Sequence, residues 1–143
     1  MFKIHCGGDW FVSTYQVAGA FFLQHDGVFF LCENWNDMPI AMLEGWCEEI
    51  STSLEENEAV ELWFLDGDYT VLLSRCSDEM LHIELVEDKG LESEKTVDTF
   101  DVETTIFLQE ILSALDVCIA FEAERGQSAE KLLAAKENIL HLN

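Results

Sequence analysis

Two adjacent pairs in the chain, His5-Cys6 and His25-Asp26, hold residue types that can build an activated nucleophile. Cysteine chemistry needs a neighbouring base that lowers the thiol pKa. Adjacency works against the first pair, because neighbouring side chains of a strand leave on opposite faces and His5 and Cys6 then diverge. A third motif, Asp66-Gly67-Asp68 in "ELWFLDGDYTVLL", offers carboxylates to a cation. An EF-hand loop needs further oxygen ligands at fixed positions and a glutamate at the twelfth, and that spacing is not met. The motif reads as a turn, since Asp-Gly supplies the positive backbone angles of a two-residue hairpin. His82 and His141 read as surface imidazoles.

The phosphate-loop, dinucleotide, nucleophile-elbow and zinc-protease patterns are missing, and "CGGDW" is too short to cradle a phosphate without a basic residue or helix after it. Only two arginines, Arg75 and Arg125, are available to hold an anionic substrate. Paired carboxylates carry no signal, because among 29 acidic residues some pair always falls at a hydrolytic distance. The reading is therefore of a chain that is not an enzyme, with no catalytic residue, metal or cofactor assigned.

Those 29 acidic residues stand against 7 basic ones, a formal charge of −22. Such a chain repels phosphate backbones and anionic membranes, so neither nucleic acid nor membrane is expected as a partner. The same charge draws in a basic protein through long-range steering that weakens as salt rises. The densest carboxylates that can be placed on one surface are Glu44, Glu48 and Glu55, along one edge of a helix, with Glu33 and Asp37 at its approach. Asp66 and Asp68 extend an acidic rim. Trp35, just ahead of the helix, would be the aromatic anchor that interface hot spots favour; Trp63 is a second candidate for that face, although a buried position is the first expectation for it. A solvated helix face is the plain reading of these glutamates, and a docking face for a basic protein is the functional one.

The elements that must position these residues are legible in outline. "GAFFLQ" and "VFFLCENW" flank "HDG" as a hairpin over 19–35, after a further strand in "DWFVSTYQV". Ile40, Leu43, Trp46 or Cys47, Ile50 and Leu54 then recur at helical spacing, which predicts an amphipathic helix over 38–56 with Asn36 or Asp37 as its cap and Pro39 in its first turn. "AVELWFLD", "YTVLLSRC" and "MLHIELVE" read as a meander whose middle is covered on both faces, with His82 and Glu84 on a half-exposed parity. "EDKGLESEKTVD" reads as a polar loop before a short strand at "TVDTF". A broad-faced helix follows from Asp101 to about Arg125, stopped by Gly126, and Ser128 starts a thinner helix to about Leu142.

At 143 residues the chain is the size of one domain, and with half of its residues hydrophobic and ten phenylalanines it has the apolar surface to fold. The expected class is α+β, with an antiparallel sheet of about five to seven strands packed against one amphipathic helix and two C-terminal helices. Five scattered cysteines, never in a C-x-x-C pair, read as reduced and mostly buried thiols. No uninterrupted apolar run reaches the roughly 18 to 20 residues of a membrane span, and no export signal precedes the fold, so a cytoplasmic protein is expected.

The stretch "MPIAMLEGWCEEI", then "ELWFLDGDYTVLLSR" and "LHIELVED", then a long closing helix, resembles in layout the small acidic immunity proteins of bacterial toxin-neutralising loci. The resemblance implies a non-enzymatic α+β domain that blocks a toxin's catalytic domain, often a basic nuclease, with acidic and aromatic side chains. A homo-oligomeric structural or regulatory domain, such as a homodimer formed through the broad apolar face, is the alternative. An enzyme acting through carboxylates ranks below both.

Overall fold

The structure, a computed structural model, describes residues 1–88 and 94–142. It is α+β, but the strands divide into two antiparallel sheets of five and four strands instead of forming one.

The first sheet is organised by β3 (Val17–His25). One edge of β3 pairs with β1 (Phe2–Cys6) and β2 (Phe11–Val12), the other with β4 (Val28–Phe30) and β5 (Asn36–Asp37). The hairpin expected over 19–35 is present. Asp26 and Gly27 form its two-residue turn at φ +48° and +83°, the left-handed pair that suits the twist of the flanking strands. The strand expected through "DWFVSTYQV" shrinks to the two residues of β2, because Ser13 closes a turn instead: its hydroxyl accepts the Gln16 N–H at 3.2 Å. Gly19 is required where it stands. A Cβ there would lie 2.7 Å from the Trp10 ring, which is itself stacked on Phe121 at 4.0 Å.

Next comes α1 (Pro39–Glu49), continued by one π-helical turn, Ile50–Leu54. Pro39 opens it as expected, since its missing N–H is one the first turn leaves unpaired anyway. The expected cap differs: Met38 holds the cap position without a side-chain bond, and Asp37 accepts the Met38 N–H from outside the helix. Of the expected apolar stripe, Leu43, Trp46, Cys47, Ile50 and Leu54 are buried, joined by Met42, while Ile40 is only half-buried.

The second sheet is a meander in the order β6 (Val60–Trp63), β7 (Tyr69–Arg75), β8 (Met80–Asp88), β9 (Glu94–Glu103). Here two expectations are corrected. The polar stretch after Val86 is largely strand, because β9 runs ten residues and pairs along β8; residues 89–93 of the expected loop lie outside the described residues. A polar sequence can be strand at this place because β9 is an edge, and Glu94, Lys95, Asp98 and Asp101 line it with charges that oppose pairing with another chain. The connection of β6 to β7 is also longer than two residues, spanning 65–68 and closed by a Phe64 N–H to Tyr69 carbonyl bond of 3.1 Å.

The chain ends in α2 (Thr104–Glu124) and α3 (Glu130–Leu140). By length and composition α2 could cross a bilayer, with a mean hydropathy of 1.6 over 18 residues. In this fold its apolar side is the centre of the core: Leu108, Ile111, Leu115 and Cys118 have no exposed surface. Each such aliphatic side chain contributes about 2 kcal/mol by leaving water. Its flank also serves β1, where the Glu110 carboxylate accepts the Ile4 N–H at 2.8 Å. Gly126, at φ +70°, stops α2 as expected, with Gly126 N–H bonded to the Ala123 carbonyl and Gln127 N–H to that of Glu122. One hydrophobic cluster takes side chains from both sheets and all three helices.

Candidate functional site

Alternation along the chain from Val60 decides what the edge of the second sheet presents. Val60, Leu62 and Phe64 turn into the core, and Glu61, Trp63 and Leu65 turn out. Helix α1 closes on this edge. Trp46, packed edge-on against Phe21 and Phe64, donates its indole N–H to the Trp63 carbonyl at 2.7 Å. That bond satisfies a backbone group of an edge strand and draws the helix alongside β6.

Between the two lies a groove of about 250 Å³, floored by Ala41, Met42, Gly45 and Trp46 and flanked by Trp63 and Leu65. Glu48, Glu49 and Glu61 stand around it, and among the described residues no basic one lines it. Trp63 is 54% exposed and Leu65 48%, large values for an indole and an isobutyl group beside a sealed core. Along the row Trp63, Thr70, Val86 the second and third residues are buried, so the indole stands at the open end of a covered strip. An aromatic centre with a carboxylate rim is the arrangement that interfaces with cationic partners use.

The residues singled out in the sequence fall in different places. Glu48 belongs to the groove, while Glu44 lines a separate hollow of about 520 Å³ with Tyr15, Glu122 and Arg125. That hollow carries basic as well as acidic groups, and in it the Arg125 guanidinium donates to Glu122 at 2.8 Å and lies over the Phe121 ring. Glu33, Glu55, Asp66 and Asp68 are exposed as expected. Asp37 is corrected: it is 2% exposed, and no partner can reach it. Its carboxylate accepts the Met38 N–H at 2.8 Å, the Trp35 indole N–H at 3.2 Å and, on both oxygens, the Asp66 N–H at 3.1 and 3.2 Å. Trp35 is correspondingly half-buried and edge-on to Tyr69, a wall of this buried knot more than an open anchor.

Trp63 is corrected in the opposite direction, from core to surface. It joins the docking face as the second of its two readings, and Leu65, Glu49 and Glu61 make up the part of the groove that sequence reasoning missed. The signal was the charge of Glu61, which shares the parity of Trp63 and marks that face as solvated.

The histidine and cysteine pairs do not assemble a nucleophile. His5 and Cys6 diverge as expected: His5 stacks on Phe22 and bonds the Gln24 side chain at 2.8 Å, while the Cys6 sulfur lies 3.7 Å from that of Cys118. Hydrogen bonding to Cys118 and then burial raise the Cys6 thiol far above its ordinary value. Burial pushes Cys47 up to about 12. His25 stacks on Phe100 and lies between the carboxylates of Asp26 and Asp98, at 3.4 and 3.3 Å. Asp26 in turn receives the N-terminal amine, which lowers its carboxyl pKa.

Only Cys32 and Cys76 are exposed, so fewer of the thiols are buried sites than expected. Alkylation of the native protein near pH 8, read by mass spectrometry, is expected to modify these two and to leave Cys47 untouched until denaturant is added. Early labelling of Cys47 would contradict the packing of α1.

Compared with known proteins, the chain matches no family model, no curated protein and no solved structure.

Proposed function

We propose that this chain is a non-enzymatic binding protein that neutralises a basic protein by docking it on the groove between α1 and β6. The observation that carries the reading is the exposed Trp63 and Leu65 inside a rim of Glu48, Glu49 and Glu61, on a chain of net charge −22. The carboxylates steer the partner in and exclude acidic competitors; the indole supplies the desolvated contact that slows its departure. A cationic side chain lying on the Trp63 face, paired with one of the glutamates, satisfies both chemistries at once. The resemblance of the sequence to immunity proteins favours a toxin's catalytic domain as the partner, and a basic nuclease domain fits the charge.

The test is capture from source cells at low salt, a stepwise salt wash and mass spectrometry of each fraction. One basic protein, released stoichiometrically as salt rises, is the expected outcome. Converting Glu48, Glu49 and Glu61 together to lysine should slow its association about tenfold or more at low salt, with the fold intact. An unchanged association rate removes the groove from the proposal. Recovery of the chain alone, as a salt-resistant dimer or larger assembly, replaces the reading with that of a homo-oligomeric domain.

A further inference from the structure

The opposite end of the second sheet carries a different constellation. Cys76 follows the last residue of β7 and stays in the ladder, its N–H bonded to the Met80 carbonyl at 2.9 Å. In the paired strands His82 stands across from Ser74 on one side and from Asp101 on the other. Cys76 has the parity of Ser74, so Cys76, His82 and Asp101 share the outer, solvated face of three adjacent strands. The His82 Nδ1 is 2.7 Å from an Asp101 carboxylate oxygen, and the Cys76 sulfur is 3.7 Å from that same oxygen. The three ligand atoms all lie within 4.8 Å of one another.

From this geometry we infer that Cys76, His82 and Asp101 form a site for a borderline-soft divalent cation, of which zinc fits best. The argument is first one of ligand type. A thiolate, an imidazole nitrogen and a carboxylate oxygen suit zinc, whereas calcium and magnesium take oxygens alone. Bonds of about 2.0 to 2.3 Å place tetrahedral ligand atoms about 3.3 to 3.8 Å apart, so the cation needs the His82–Asp101 hydrogen bond to open by well under an ångström and the Cys76 sulfur and His82 nitrogen, within 4.8 Å of each other, to close by at most about an ångström. The thiol binds as thiolate, its proton passing to solvent.

The second argument is the far side of the imidazole. With Nδ1 on the metal, Nε2 points to Glu84, whose carboxylate lies 3.6 Å away. A carboxylate behind a ligating histidine fixes its tautomer and raises its basicity. Three protein ligands leave the fourth position to water or to a partner group, and the cation ties β7 to β9 across β8. The charge of the chain raises the local cation concentration but does not choose this place. The ligand set does.

The test is titration of the full-length chain with Zn²⁺ and Co²⁺ in excess Mg²⁺, which occupies diffuse carboxylate sites. One cation per chain is expected, with a thiolate-to-cobalt charge-transfer band and zinc protection of Cys76, but not Cys32, from alkylation. Cys76→Ser, His82→Ala and the isosteric Asp101→Asn should each weaken binding at least tenfold. All three positions lie on the solvated face, and near-UV circular dichroism checks that each variant is folded. A charge-transfer band that persists in Cys76→Ser, or an affinity unchanged in Asp101→Asn and His82→Ala, overturns the site and leaves adventitious binding to an acidic surface only.

Discussion

Replacing Asp37 by alanine will lower the unfolding free energy by about 3 kcal/mol, because it removes a buried carboxylate that three donors share. The donors belong to separate parts of the chain: the Met38 N–H ahead of α1, the Trp35 indole and the Asp66 N–H of the 65–68 loop. Without the carboxylate that loop loses its anchor to the start of the helix. A domain of this length melts with an entropy of about 0.3 kcal/mol/K, so the expected fall in Tm is about 10 °C. Asp37→Asn should cost less, about 1 to 2 kcal/mol, since one acceptor oxygen remains while the new amide meets an N–H donor head-on. Denaturant titration of both variants checks the order. A loss below about 1 kcal/mol for Asp37→Ala would mean that water reaches the knot and that the carboxylate contributes little.

Trp63→Ala will act in the other way, on binding and hardly on folding. More than half of the side chain is already in solvent, so its removal should change stability by no more than about 1 kcal/mol. Against the basic protein captured at low salt, the loss of a central interface indole is expected to cost about 2 kcal/mol or more, a fall in affinity of about 30-fold. Most of that should appear as faster dissociation, in contrast to the rim lysine variants, which act on association. Glu55→Lys, outside the groove, serves as the control for a non-specific effect of charge. If the partner binds Trp63→Ala as tightly as the native chain, the groove is not the docking surface.

Much of the architecture follows from local rules. The turn at Asp26-Gly27, the stripe from Leu43 to Leu54 and the stop at Gly126 each depend on backbone angles or periodicity within a few residues, and each stands where those rules place it. The long β9 does not. Its residues are polar because it is an edge strand, and no feature within "EKTVDTFDVE" says that β8 will pair along it. Asp37 and Trp63 exchange their expected places for a related reason. Whether a polar residue is walled in, or an aromatic one left out, depends on which distant element arrives beside it. For Asp37 that element is the 65–68 loop, and for Trp63 it is α1, which covers the strand's edge and leaves its outer face open.

The sequence by itself determined the α+β class and the strong negative charge. These depend on composition and short-range spacing, which survive in a one-dimensional reading. The tertiary structure alone decided which carboxylates share a surface. Glu48, Glu49 and Glu61 meet around Trp63, and Cys76, His82 and Asp101 meet across three strands, through strand register and helix packing. Register is set by the burial of a whole face at once, so no single stretch of the chain carries it.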